Sequence, residues 1–212
     1  LLIISAITVA LACQPKCDDA NYLTFKNAKW EVTDIDKGIT LKQYHFQGDE
    51  QIFESSQFIS IIEMDNKAAA TGRWALANDP GKITQTSKFA ADSGATVAMN
   101  GTFYNMSVPY NSVSFFRKFG ELCYEFTENM GQRDNGALAI REDGQIYLVA
   151  APVDTVGMVL DKEWAINIEE PHVMGSGPLL MMDGKDAYLD ESSFNVKRHP
   201  RSALATNGEK VF

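Results

Sequence analysis

Beyond the first twelve residues, apolar runs in this chain are brief, and most are stopped by a turn signal. Gly38 to Phe46 (GITLKQYHF) alternates as a strand does, and Gln57 to Met64 is a stronger strand, rich in Ile and Phe and ending in charge. Asn135-Gly136 opens a hairpin: Ala137 to Ile140, a turn at Glu142-Asp143-Gly144, then Gln145 to Val149. Leu179 to Met182 and Lys185 to Tyr188 form another around Asp183-Gly184. One short helix is expected from Thr86 to Ser93, with Gly94 as its C-cap. A chain broken up in this way buries its apolar side chains in sheets. The expected fold is α+β, with a mixed or antiparallel sheet core and few helices, in preference to a doubly wound sheet.

Further expectations follow from the same pattern. Ala95 to Met99 is a continuous small apolar run suited to an interior strand. Clustered aromatics from Asn111 to Phe126 are divided by a turn over Arg117 to Gly120, and Ser202 to Thr206 is a late strand. Gly208-Glu209-Lys210 is a turn, and Val211-Phe212 starts another strand, so the native protein is expected to continue past Phe212.

The first twelve residues, LLIISAITVALA, are apolar but too few to span a bilayer, which takes about twenty residues in a helix. They read as the remnant of a secretory signal, and Leu11-Ala12-Cys13 resembles a bacterial lipoprotein processing site with Cys13 as the lipid-bearing residue. The expected organisation is a signal remnant over 1–12, a tether and first strand over 13–36, and one domain over 37–212. The expected location is the bacterial cell envelope, periplasmic or outer-membrane, anchored through Cys13. Cys17 and Cys123 remain: a bridge between them is open in an oxidising compartment, and so is a buried Cys123 thiol. No Cys/His set has zinc-like spacing, and no cofactor or metal is expected.

With 28 acidic against 19 basic residues, the formal charge is -9. The densest basic cluster is Lys197, Arg198, His199 and Arg201. That is too narrow for a nucleic-acid footprint, so no nucleic-acid partner is expected, though it leaves room for a small anion.

Three glycine- or proline-punctuated segments break from apolar runs and expose polar groups. In VAMNGTFYN, Asn100 offers both a donor and an acceptor, and Tyr104 offers a hydroxyl or a ring for stacking on a sugar; a plain Asn-Gly turn is the alternative. In VMGSGPLLMMDG, Gly175, Ser176 and Gly177 offer backbone N–H groups as an anion nest, or else a structural turn. This segment has neither Walker nor GxGxxG spacing. In KRHPRSALATN, Pro200 holds His199 extended, and Arg201 enters an apolar run where its guanidinium needs a carboxylate or phosphate partner. His199 is a candidate acid or base, with a surface role equally open. Among carboxylates, Glu63 and Asp65 end a strand, and Asp134 sits with Asn135 in the Arg133 to Gly136 turn. Each is a candidate for acid–base work or substrate binding, with plain solvation as the alternative.

Together and in order, these segments resemble the phosphodiester glycosidase family, which includes the lysosomal enzyme that uncovers mannose 6-phosphate. The family's Asn-Gly-Gly-Phe-Phe-type motif matches Asn100-Gly101-Thr102-Phe103-Tyr104. Its glycine-rich turn, Pro-Leu and Asp-Gly match Gly175 through Gly184, and its Pro-Arg-Thr-Ala segment matches Pro200-Arg201-Ser202-Ala203. The resemblance runs from about Ile59 to the chain end. Thr102 and Ser202 depart from the pattern, and the family's Asp-Gly-Arg strand end and later Asp-Gly-Gly-rich segment do not appear. The resemblance implies hydrolysis of a sugar-1-phosphodiester on a glycan or glycoconjugate. In that chemistry Arg201 holds the phosphate with the Gly175 to Gly177 backbone, and Asn100 fixes a sugar hydroxyl or water. A carboxylate serves as base, and part of the active site lies outside this sequence. The alternatives are a non-catalytic, surface-anchored glycan-binding module and a structural lipoprotein domain.

Overall fold

A computed structural model describes residues 19–69, 74–126 and 131–212. The apolar stretch 1–12, Cys13, Cys17, Gly72 and Arg73 lie outside the described residues. The fold is α+β, with antiparallel sheets and short helices.

The chain enters through α1 (Ala20–Asn27), where a tether was expected. Asp19 caps it, accepting from the N–H groups of Asn21 and Tyr22 at 2.7 and 3.1 Å. β1 (Glu31–Asp36), β2 (Ile39–Phe46) and β3 (Gln57–Asp65) then form an antiparallel meander, as the alternating pattern of the last two predicts. A short turn of helix, α2 (Asn66–Ala69), follows directly. α3 (Thr86–Ser93) ends as expected at Gly94, whose φ of 61° is the left-handed conformation that closes a helix.

β4 (Phe116–Lys118) and β5 (Glu121–Tyr124) form a hairpin that turns at Phe119-Gly120, so Arg117 is a strand residue rather than part of the turn. β6 (Gly136–Ile140) and β7 (Ile146–Ala150) make the expected Asn-Gly hairpin. β8 (His172–Ser176) inserts between β4 and β6, giving the order β5-β4-β8-β6-β7. β9 (Met181–Met182) and β10 (Lys185–Asp186) pair around Asp183-Gly184, and α4 (Ser193–Val196) follows. β11 (Lys210–Val211) returns to lie beside β3, completing a sheet ordered β1-β2-β3-β11.

Strand alternation divides the five-stranded sheet into two buried faces. Ala137, Ala139 and Val173 face a cluster with Phe115, Trp164 and Ile168. Leu138, Ile140 and Ile146 face a second cluster with Phe116, Leu76 and Val211, against which Met64, Met174 and Leu204 pack. β6 is buried at every position because both of its faces are covered, which is why GALAI reads as continuous rather than alternating.

Asn66 joins the two sheets. Its side chain is buried, its Oδ1 accepts from Ile146 N–H at 3.2 Å, and its Nδ2 donates to the carbonyls of Ile146 at 3.2 Å and Gly208 at 3.1 Å. One carboxamide thus pairs with the outer edge of β7 as a strand residue would. Its own N–H donates to Glu209 O at 2.8 Å.

Two expected strands do not form. Residues 95–99 are non-strand and mostly exposed, and no strand of the described residues pairs with them. Alanine and valine are small enough to be tolerated in that open position. Between 202 and 206, only Thr206 bridges, to Val211, while Ala205 and Phe212 exchange backbone bonds of 2.9 and 3.0 Å. Cys123 is a free, exposed thiol, which overturns the buried alternative.

Glu63 on β3 accepts from Lys42 Nζ at 2.6 Å and from Lys210 Nζ. The Lys210 hydrogen bond and then the Lys42 hydrogen bond hold its carboxyl below the ordinary glutamate range. A depressed carboxylate contributes stability above its unfolded pKa and loses it as pH falls through the folded one. Glu63→Gln should therefore be less stable than wild type at neutral pH. The gap should close below the usual glutamate range, read as Tm against pH; a gap independent of pH would rule out the ion pairs as its source.

Candidate functional site

The three punctuated segments meet, and a closed circuit of contacts defines where. Ser202 Oγ donates to Asn100 Oδ1 at 2.9 Å across 102 residues of chain. The next residue, Gly101, lies against Met174 in the middle of β8: a Cβ there would sit 2.5 Å from the Met174 sulfur. Ser176 is two residues on from Met174, so alternation places its side chain on the same face of β8. Gly177 then backs onto the main chain of Gln132 and Arg133 so tightly that a Cβ would collide with the Gln132 carbonyl. This glycine is required by close approach.

From Arg133 the circuit closes through aromatic rings. The Arg133 guanidinium lies 5.7 Å from the Phe103 ring centroid and 5.1 Å from that of Phe194. Those two rings meet edge to face at 5.4 Å. On Phe194 also rests Arg201, with its guanidinium carbon 4.6 Å from the ring centroid. Arg201 donates to the carbonyls of Phe194 and of Lys197, the latter at 3.2 Å. These carbonyls belong to α4 and its C-cap, where the helix leaves acceptors unsatisfied.

Several expectations need correction at this point. Arg201 is exposed, not buried in a strand, so no desolvated guanidinium demands a partner there. Gly175 cannot serve an anion nest: it is buried in β8 against Phe126, and its N–H donates to Phe115 O at 2.7 Å. Asn135 is buried, with its Oδ1 accepting from Leu179 N–H at 2.7 Å, so it braces the turn after Gly177. Asp134 is buried and accepts from Ser114 Oγ at 3.3 Å. Glu63 faces Lys42 and Lys210 on the other sheet rather than the Asn100–Ser202 contact. His199 is exposed beside Pro200, and Tyr104 is half exposed and bridges to Ser112.

Beside Tyr104 lies an open groove of about 450 Å³, lined on its polar side by Asn105, Asn111, Ser112 and Glu125. Tyr124 and Phe126 supply aromatic wall. Among the described residues, no three His, Cys, Asp or Glu side chains gather so as to hold a metal ion.

Sequence reasoning missed Arg133. Locally it reads as part of a hairpin turn, and what distinguishes it is a ring supplied from α4. The sequence shows only an arginine followed at once by Asp134 and Asn135, and it is the structure that shows those two to be buried.

No curated protein matches the chain. The family model described as phosphodiester glycosidase matches residues 93–212, more than half of the chain. That span holds all three punctuated segments and begins later than the resemblance drawn from Ile59. The chain belongs to the phosphodiester glycosidase family.

Proposed function

We propose that the full-length protein hydrolyses a sugar-1-phosphodiester, releasing the sugar and leaving the phosphate on its carrier. The observation that carries this reading is the contact circuit: Asn100, Ser202, β8 and two arginines meet at one surface, although they lie far apart in sequence. Arg201 would hold the phosphate, and its exposure leaves the guanidinium edge accessible. Asn100, held by Ser202, would orient a sugar hydroxyl or the attacking water. The groove that Asn105 and Asn111 line, with its amides, Glu125 and aromatic wall, has the composition of a sugar subsite. A carboxylate would serve as the base. Residues 1–12 and Leu11-Ala12-Cys13 support a place for this chemistry at the bacterial cell envelope, with the protein anchored through Cys13.

Incubation of the full-length protein with a panel of sugar-1-phosphodiesters should yield free sugar and phosphate monoester in equal amounts. Saturable binding without turnover across the panel would point instead to a glycan-binding module.

A further inference from the structure

We propose that Arg133 is a second phosphate-holding residue, acting chiefly on the phosphate monoester formed as the sugar leaves. This deepens the sugar-phosphodiester reading and rests on it. Arg133 is half-buried, so its guanidinium has lost part of its water. Among the described residues it makes no ion pair and no side-chain hydrogen bond; its recorded partners are the rings of Phe103 and Phe194. Asp190 lies within electrostatic reach, but its carboxylate accepts from Ser192 N–H at 3.1 Å and Asn195 Nδ2 at 2.6 Å.

Arg117 shows what a structural arginine looks like in this fold. It donates to Ile168 O, to Ile166 O at 2.9 Å and to Glu170 O at 3.4 Å, and so fastens residues 166–170. Among the described residues, Arg133 fastens nothing of that kind. Arg133 and Arg201 both rest on the Phe194 ring, at 5.1 and 4.6 Å from its centroid, and an anion reaching both would complete their hydrogen bonding.

The chemistry supplies a reason for two cations. A phosphodiester carries one negative charge. When the bond from C1 to the phosphate oxygen breaks, its electron pair stays on that oxygen. The water oxygen bonds C1, and the water's proton passes to a carboxylate base or to solvent. The phosphate departs as a monoester, carrying about 1.5 to 2 negative charges near neutral pH. Arg201 balances the charge already present, and Arg133 balances the charge that develops, an interaction stronger in the transition state than in the bound diester.

The test compares wild type, Arg133→Ala and Arg133→Gln in the full-length protein, with thermal melting to confirm folding. Calorimetric titration with inorganic phosphate and with the monoester product, together with kcat and KM on the diester, gives the readout. Both variants should bind phosphate and monoester about tenfold or more weakly, with kcat falling more than KM rises. Arg133→Lys should recover part of the monoester affinity, which a purely ring-packing role would not produce. Wild-type affinity for phosphate in either folded variant overturns the proposal. If phosphate binding depends on Arg133 but no sugar-1-phosphodiester is cleaved, the anion site stands and the glycosidase reading fails.

Discussion

Replacing Arg201 with alanine should lower kcat/KM on a sugar-1-phosphodiester by about 10 to 10², the range expected when a charge-assisted hydrogen bond to a bound phosphate is removed. The fold should barely notice. The side chain is exposed, and the bonds it gives up are to the Phe194 and Lys197 carbonyls, which water can reach. Little change in Tm is therefore expected alongside the large kinetic loss. Arg201→Lys should recover only part of the activity, because an ammonium keeps the charge but loses the planar fork. Steady-state kinetics on the three proteins decides the matter: unchanged catalytic efficiency in the alanine variant would sink the phosphate-holding role.

Asn66→Ala should produce the largest loss of stability, about 2 to 4 kcal/mol, because the backbone groups of Ile146 and the carbonyl of Gly208 lose their partners in a buried place. For a domain of this size, that corresponds to a fall in Tm of roughly 5 to 15 °C. The side chain lies at the meeting of the sheets, so the loss should appear as one cooperative transition moved to lower temperature. A change of a degree or two by scanning calorimetry would mean that water replaces the carboxamide at little cost.

What could be read from residues alone was what neighbours in sequence determine. The Asn135-Gly136 and Asp183-Gly184 hairpins, β2, β3 and the Gly94 cap depend on turn signals and on pairing with the next strand in sequence, and they formed as expected. The run Ala95 to Met99 has an interior composition, yet only a partner strand makes an interior strand, and none pairs with it among the described residues. Ser202 to Thr206 stays largely unpaired for the same reason. In the site, the order of the three segments pointed to their meeting, but the burial and partners of individual residues were set by long-range packing. Gly175 spends its N–H on Phe115, Asn135 spends its oxygen on Leu179, and Arg201 lies in the open. Asn66 gave no local hint at all, since its partners are 80 and 142 residues away.

Those separations also govern the order in which the molecule can assemble. β1, β2 and β3 pair with their immediate neighbours and can zip up as soon as they leave the ribosome. The remaining edge of β3 must wait for Lys210 and Val211, and the Asn66 carboxamide cannot complete its bonds until Gly208 arrives. Closing so long a loop costs entropy before any contact repays it, so docking of the late strand should be a slow, late step. Until then β3 offers an unpaired edge to any other chain nearby. For this fold, the vulnerable interval is the one between synthesis of the first sheet and capture of its last strand.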